Sequence, residues 1–423
     1  MNGTTQPPRH PFEDRSLNAA LPSSVDEWLA SLAGPGSLGT LLDVPWEEQL
    51  RRGYGHTLRE ICQQPLTWLE TARTTRSLRP LIAECLEGVG AVVFTGSGSS
   101  IYAAECVAPC LQRSLGVPAT AVPAGLILTH PESCLPPSGR FLVVSLARSG
   151  DSPESRAVVD FLLESRPQAR HLFITCNRKG ALATAYRERR ETRAIVLDEK
   201  THDRSLVMTS SFTNMVLAGR ALAGEAEAGE ARTVEVARAA AGLLRNAADT
   251  LATVGRGRFG SVVFLGSGCR LGSAREAALK MLEMSAGETW TLAESYLGLR
   301  HGPMSAIRPD TLLVAFLSSD SLVRAYELDL LSELDRKGLG SGRVVLGAGV
   351  PTHLVGSPAS HVLDCGTGSS LDEDLTVLDA LVGQVLAFFR CLASGHRPDS
   401  PSADSVITRV VSSFEIHRRN GAR

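Results

Sequence analysis

The chain has 423 residues, 43% of them apolar and 21% charged, with a formal net charge of −2. That is enough apolar material for the cores of two ordinary α/β domains, and it excludes a disordered chain. The small net charge gives no electrostatic footprint for nucleic acid, and no unbroken apolar run reaches the roughly 18 to 20 residues of a membrane span.

The opening "MNGTTQPPRHPFEDRS" lacks a basic stretch followed by an apolar one, so no signal peptide is expected. Residues 1–45 are rich in Pro, Ser and Gly and read as an irregular arm. From Trp46 to Glu87 the period becomes helical, broken at Pro65, which predicts two or three helices before the first strand. Nine cysteines, an odd number without a C-x-x-C pair, read as buried free thiols of a reducing compartment, the cytoplasm.

A repeat then organises the rest. "VVFTGSG" at 92–98 and "VVFLGSG" at 262–268 agree at six of seven positions, and a small-residue helix follows each. "RFLVVSLA" and "RHLFITCN" continue the first copy; "DTLLVAFLSS" and "GRVVLGA" continue the second. Near-continuous apolar strands alternating with helices predict parallel sheets covered on both faces. The expected architecture is therefore two tandem, doubly wound α/β domains, 46–225 with its leading helices and 226–395, closed by a tail at 396–423.

In such folds ligands sit beyond the carboxyl ends of the strands. Two polar loops of the first copy lie there. "ARSGDS" offers the hydroxyls of Ser149 and Ser152 with backbone N–H groups around Gly150, a suitable nest for an anion at a helix N-terminus. "TGSGSS" adds Thr95, Ser97, Ser99 and Ser100. Together they suit a phosphate ester and sugar hydroxyls. A plainer alternative makes Ser152 only the cap of a helix that starts with Pro153. A dinucleotide fingerprint is disfavoured, because Ile101 stands where the third glycine of G-x-G-x-x-G belongs. The second copy has "AFLSSDSLV" in place of "SLARSGDS", without the glycine, so one anion pocket per chain is expected.

The second copy supplies the chemistry instead. In "EAALKMLEMSAGETWTLAESYLGLRHGPMS", Lys280 and Glu283 lie three apart on one helix face, and Glu283 sits between Leu282 and Met284. Apolar surroundings of that kind suit a carboxylate to proton transfer, although a surface ion pair has the same spacing. His301 follows, presented from a turn by Gly302 and Pro303. No histidine pair has metal-ligand spacing, and neither a metal nor another cofactor is expected.

Six motifs, "REICQQPLTW", "ARSGDSPES", "THDRSLVMTSSFT", "FLSSDSLVRAYELDLLSEL", "LRHGP" and the tail "PDSP…VITRVV", resemble the double sugar isomerase (SIS) domain of the AgaS type over residues 45–418. That family comprises tagatose-6-phosphate ketose/aldose isomerases and galactosamine-6-phosphate deaminases related to the isomerase half of glucosamine-6-phosphate synthase. The resemblance implies flavodoxin-like domains and phosphate binding by Ser149 and Ser152, with Arg148 where a glutamine is usual. It implies a further ligand serine at Ser100 and a sugar-lining segment at Thr209 and Ser210. Glu283 would shuttle a proton between C1 and C2, Lys280 would stand one turn before it, and His301 would open the ring in the neighbouring subunit's site, so a homodimer follows. Ala147 replaces one family serine, and the synthase's near-terminal lysine has no clear counterpart in "RVVSS" at 409–413. The chain also lacks a glutaminase domain. The implied reaction is loss of ammonia from a hexosamine 6-phosphate, galactosamine 6-phosphate favoured. Plain aldose–ketose isomerisation, a non-catalytic phosphosugar sensor and a nicotinamide-dependent redox enzyme are the alternatives. Neither nucleic acid nor a membrane is an expected partner.

Overall fold

The computed structural model describes residues 21–417 apart from 225, 356–359, 367–369, 403–405 and 412–413. Among the described residues, ten strands form two five-stranded sheets. The first holds β1 (Ala91–Gly96), β2 (Ala119–Pro123), β3 (Phe141–Ala147), β4 (Ala169–Thr175) and β5 (Thr192–Val196) in the order β2-β1-β3-β4-β5. The second holds β6 (Ser261–Leu265), β7 (Trp290–Glu294), β8 (Thr311–Phe316), β9 (Gly342–Gly347) and β10 (Ser360–Asp364) in the order β10-β9-β8-β6-β7. Every pairing is parallel. Counted from its own first strand, each sheet has the doubly wound order 2-1-3-4-5.

The six strands legible as apolar runs are the inner ones, where β3 and β8 bury every residue. The four edge strands escape such a reading. They are flanked on one side only, and β7 and β10 keep most of their side chains partly exposed. The amino-terminal segment also differs from expectation. It carries helices at Val25–Leu32 and Gly39–Leu42, and Trp28 is fully buried with its indole N–H donated to the Cys62 carbonyl at 2.7 Å. Residues 1–20 of the expected irregular arm lie outside the described residues. Four helices, not two or three, fill 46–86, and Pro65 begins one of them at Gln64–Ser77 instead of breaking it.

The two sheets share one continuous apolar core, in which Phe94 and Leu142 of the first join Phe264 and Leu312 of the second. Its axis is the Asp372–Ala393 helix. Its most apolar 18-residue stretch has a mean hydropathy of 1.7, so by length and composition alone the helix could cross a membrane, although Asp379 and Gln384 keep it from being an unbroken apolar run. Almost all of it is buried among other helices, the position expected of a helix that is apolar all round. None of the nine cysteines is in a disulfide, and all but Cys134 are buried.

The Arg270–Met284 helix lies between this axis and the Ser99–Leu115 helix of the first sheet, and glycines permit the approach. A Cβ at Gly272 would stand 2.8 Å from the Cys106 amide nitrogen and 2.9 Å from the Tyr102 carbonyl; one at Gly383 would stand 2.5 Å from the Ala277 Cβ. Gly272→Ala therefore destabilises the protein. Overpacking costs about 1–3 kcal/mol, against roughly 1 kcal/mol gained in helix propensity. Urea denaturation checks this, and a variant more stable than the wild type would refute the close packing of these helices.

Candidate active site

At the β1 exit, Ser97 is exposed, Gly98 adopts φ 57°, and Ser99 and Ser100 are buried in the first turn of the Ser99–Leu115 helix. Thr95 and Ser145 are register partners on β1 and β3, and both hydroxyls are buried without a hydrogen-bond partner. This sheet edge thus presents unused polar groups beside the serine loops.

At the neighbouring β3 exit the chain turns at Gly150, whose φ of 69° favours glycine. Ser149 is half-buried, and its hydroxyl accepts the Asp151 amide at 3.2 Å. Asn177 steadies the turn by donating to the Ser149 carbonyl at 2.9 Å. Ser152 does cap the Pro153–Ser165 helix, accepting the Ser155 amide at 3.4 Å, so its hydroxyl is at least partly engaged within the chain.

Arg148 is placed differently from a substrate contact. Its guanidinium is buried and donates to the carbonyls of Ser205, Leu206 and Val207 at 3.3, 2.9 and 3.3 Å, and to that of Arg409. These carbonyls take up both terminal nitrogens of the guanidinium, so in this arrangement it holds the loop from behind. Thr209 and Ser210 are likewise fully buried. Thr209 donates its amide and hydroxyl to Asp203, and the Ser210 hydroxyl donates to the Glu60 carbonyl at 2.6 Å. These two side chains shape the segment, and neither hydroxyl faces open space.

The Arg270–Met284 helix, which follows β6 of the second sheet, brings Glu276, Lys280 and Glu283 to this edge. Lys280 is fully buried; its ammonium donates to Glu283 at 2.5 Å and to the Ser99 hydroxyl at 3.1 Å, and lies 3.4 Å from the Glu276 carboxylate. Burial opposes its charge, yet the two glutamates hold its pKa above the ordinary lysine value. Glu283 is therefore not in the apolar setting its neighbours in sequence suggest: it is ion-paired and remains 21% exposed. The apolar setting belongs to Glu276, which sequence reasoning missed. Burial pushes its carboxyl up to about 7, with Lys280 opposing and Glu283 adding. The i, i+4, i+7 spacing of Glu276, Lys280 and Glu283 carried that signal. Arg148 is close enough to act electrostatically on both Lys280 and Glu283, so these groups and the β3 loop share one neighbourhood.

His301 is exposed on the turn between the Tyr296–Leu299 helix and Pro303, and no hydrogen bond joins its ring to Lys280 or Glu283 within the chain. In the second domain, the counterpart of the phosphate loop is already filled. Ser319 donates its amide and hydroxyl to Asp372 at 2.6 and 3.0 Å, and the Ser318 hydroxyl donates to it as well. An internal carboxylate thus occupies the loop that corresponds to the one carrying Ser149 and Ser152 in the first half. Among the described residues, no group of three or more His, Cys, Asp or Glu is arranged to hold a metal ion.

No family model matches the chain. The D-galactosamine-6-phosphate deaminase AgaS of Escherichia coli is 33% identical over 371 residues, covering 85% of this chain and 95% of that one. A protein of the same name from Shewanella sp. (strain ANA-3) is 32% identical over 379 residues, covering 88% and 94%. The crystal structure of the Escherichia coli tagatose-6-phosphate ketose/aldose isomerase is 30% identical, with a TM-score of 0.79, over 86% of this chain and 97% of that one. With the sheet order repeated in both halves and the sequence match spanning most of each protein, the chain belongs to the AgaS family of double sugar-isomerase-domain proteins.

Proposed function

We propose that this chain is an amino-sugar-phosphate deaminase/isomerase that converts a hexosamine 6-phosphate, galactosamine 6-phosphate favoured, to the ketose 6-phosphate and ammonia. The observation that carries the reading is the link from Ser99 of the first domain through Lys280 to Glu283 of the second. It sets a proton-transfer group beside the serine loops suited to a phosphate ester.

Ser149 and Ser152, with the amides around Gly150, receive the phosphate, and Ser97, Ser99 and Ser100 face the sugar. His301, supplied by the neighbouring subunit of a homodimer, moves a proton from O1 to the ring oxygen as the pyranose opens. Glu283 takes the C2 proton while the aldehyde oxygen is protonated, giving an enolamine. Returning the proton to C1 forms the C2 imine. Water adds to C2 and ammonia leaves, so one water is consumed for each ammonia released. Lys280 polarises the substrate oxygen, and Glu276 keeps it charged at the base of the helix. Nine cysteines without a disulfide support a reducing compartment, the cytoplasm.

Ammonia release from galactosamine 6-phosphate and glucosamine 6-phosphate, measured beside ketose formation, tests the reading. One ammonia per ketose, from the galacto epimer in preference, is the expected result. Interconversion of tagatose 6-phosphate with its aldose, without ammonia from either amino sugar, would replace deamination by the isomerisation named for the Escherichia coli structural relative. Phosphosugar binding without turnover would leave a sensor.

A further inference from the structure

Glu60 lies on the Gly55–Cys62 helix, outside both sheets, and is buried against the turn that precedes the sugar-lining segment. One of its carboxylate oxygens accepts the amides of Arg204 at 2.5 Å and Ser205 at 3.2 Å; the other meets the Ser205 hydroxyl. That hydroxyl also lies 3.1 Å from the Val207 carbonyl. A serine hydroxyl carries a single hydrogen and cannot donate to both oxygens. The geometry is satisfied in full when the proton sits on Glu60: the carboxylic acid donates to Ser205, and Ser205 passes its own hydrogen to Val207.

From there the contacts run to the phosphate loop. Ser205, Leu206 and Val207 present the carbonyls that hold Arg148, and Arg148 directly precedes Ser149. We infer that Glu60, in its protonated form, is a positioning residue that holds the phosphate-binding loop through Ser205 and Arg148, and that its ionisation weakens phosphosugar binding. This rests on the reading of the serine loops as the phosphosugar site. Burial, and next the charge of Asp203, push the Glu60 carboxyl up to about 8. Asp203 is fully engaged in accepting the amides of Thr209 and Ser211. The other charged groups facing Glu60 are Arg204 on the turn, Arg148 at the β3 exit and Arg409 on the tail. His56 and Arg59 lie on its own helix, Arg178 follows β4, and Asp198, Glu199, Lys200 and His202 lie before the turn, so carboxylates as well as cations line the cavity beside it.

The test is calorimetric titration of tagatose 6-phosphate, a ligand without a titrating amine, from about pH 7 to about pH 9. The Glu283→Gln chain serves as a non-turnover host, with and without Glu60→Gln. A glutamine amide donates to Ser205 as the acid does and cannot ionise. The host is expected to lose about tenfold in affinity over this range, the share of the competent form lost one unit above the pKa, while the double variant stays flat. Equal slopes in both overturn the inference. If neither chain binds tagatose 6-phosphate, the proposed function falls, and melting temperature decides the role of Glu60. A carboxyl whose pKa is raised on folding favours the folded state below its ordinary value, and that advantage is lost as pH climbs towards the folded value. The wild type must therefore fall relative to Glu60→Gln up to about pH 8 and then level off. A constant difference overturns the inference.

Discussion

Glu283→Gln is expected to lower turnover by about two to four orders of magnitude, the range contributed by a positioned general acid–base group. An amide cannot take the C2 proton or return it to C1, so both halves of the shuttle stop together. The fold survives, because Lys280 keeps Ser99 at 3.1 Å and Glu276 at 3.4 Å when Glu283 is neutralised. Phosphate binding survives for a separate reason: the serine loops belong to the other sheet. Steady-state ammonia release gives the rate, and deuterium entering C1 of the product from heavy water reports the proton transfer itself. The wild type incorporates solvent label at C1 and the variant does not. A variant within tenfold of wild type would remove Glu283 from the chemistry.

The largest stability loss is expected at Asp379→Ala. Asp379 and Arg270 are both fully buried and meet in a two-pronged pair at 2.9 and 2.5 Å, with the Ser273 hydroxyl donating to Asp379 at 2.9 Å. Removing the carboxylate strands a guanidinium in the core, which costs about 3–5 kcal/mol. That is a large part of the roughly 5–15 kcal/mol that holds a domain folded. The charge pair itself is not the source of stability, because its desolvation offsets its attraction. Arg270→Met combined with Asp379→Leu should therefore recover most of the loss. Urea unfolding of the single and double variants measures both. A loss below about 1 kcal/mol at Asp379→Ala, the scale of an exposed pair, would contradict the burial.

The inner strands and the Lys280–Glu283 face were legible because their signals are local. A strand covered on both faces must be apolar throughout, and two side chains three apart on a helix must meet. Edge strands such as β7 carry no such constraint. The residues misread or not singled out at all are those whose partners are remote in sequence. Arg148 binds a carbonyl 58 residues on and another 261 residues on, and Glu60 meets Ser205 across 145 residues. Asp372 fills the second domain's loop from 54 residues beyond Ser318. Periodicity cannot announce a contact of that kind. Glu276 is the exception, since its spacing was visible and its burial was not.

The axial Asp372–Ala393 helix sets a timetable for the chain's birth. Gln64, near the start, donates to Gln384 at 2.7 Å, and Gln384 donates to the Thr209 carbonyl at 3.3 Å. The first sheet leaves the ribosome complete once β5 has been made, yet its central partner arrives roughly 190 residues later, a wait on the order of 10 to 40 s at ordinary synthesis rates. Through that interval the apolar side of the nascent sheet has only temporary cover. The halves that look like two domains on paper are thus a single unit in time, and a stop codon before residue 372 would release a chain with nothing to close upon.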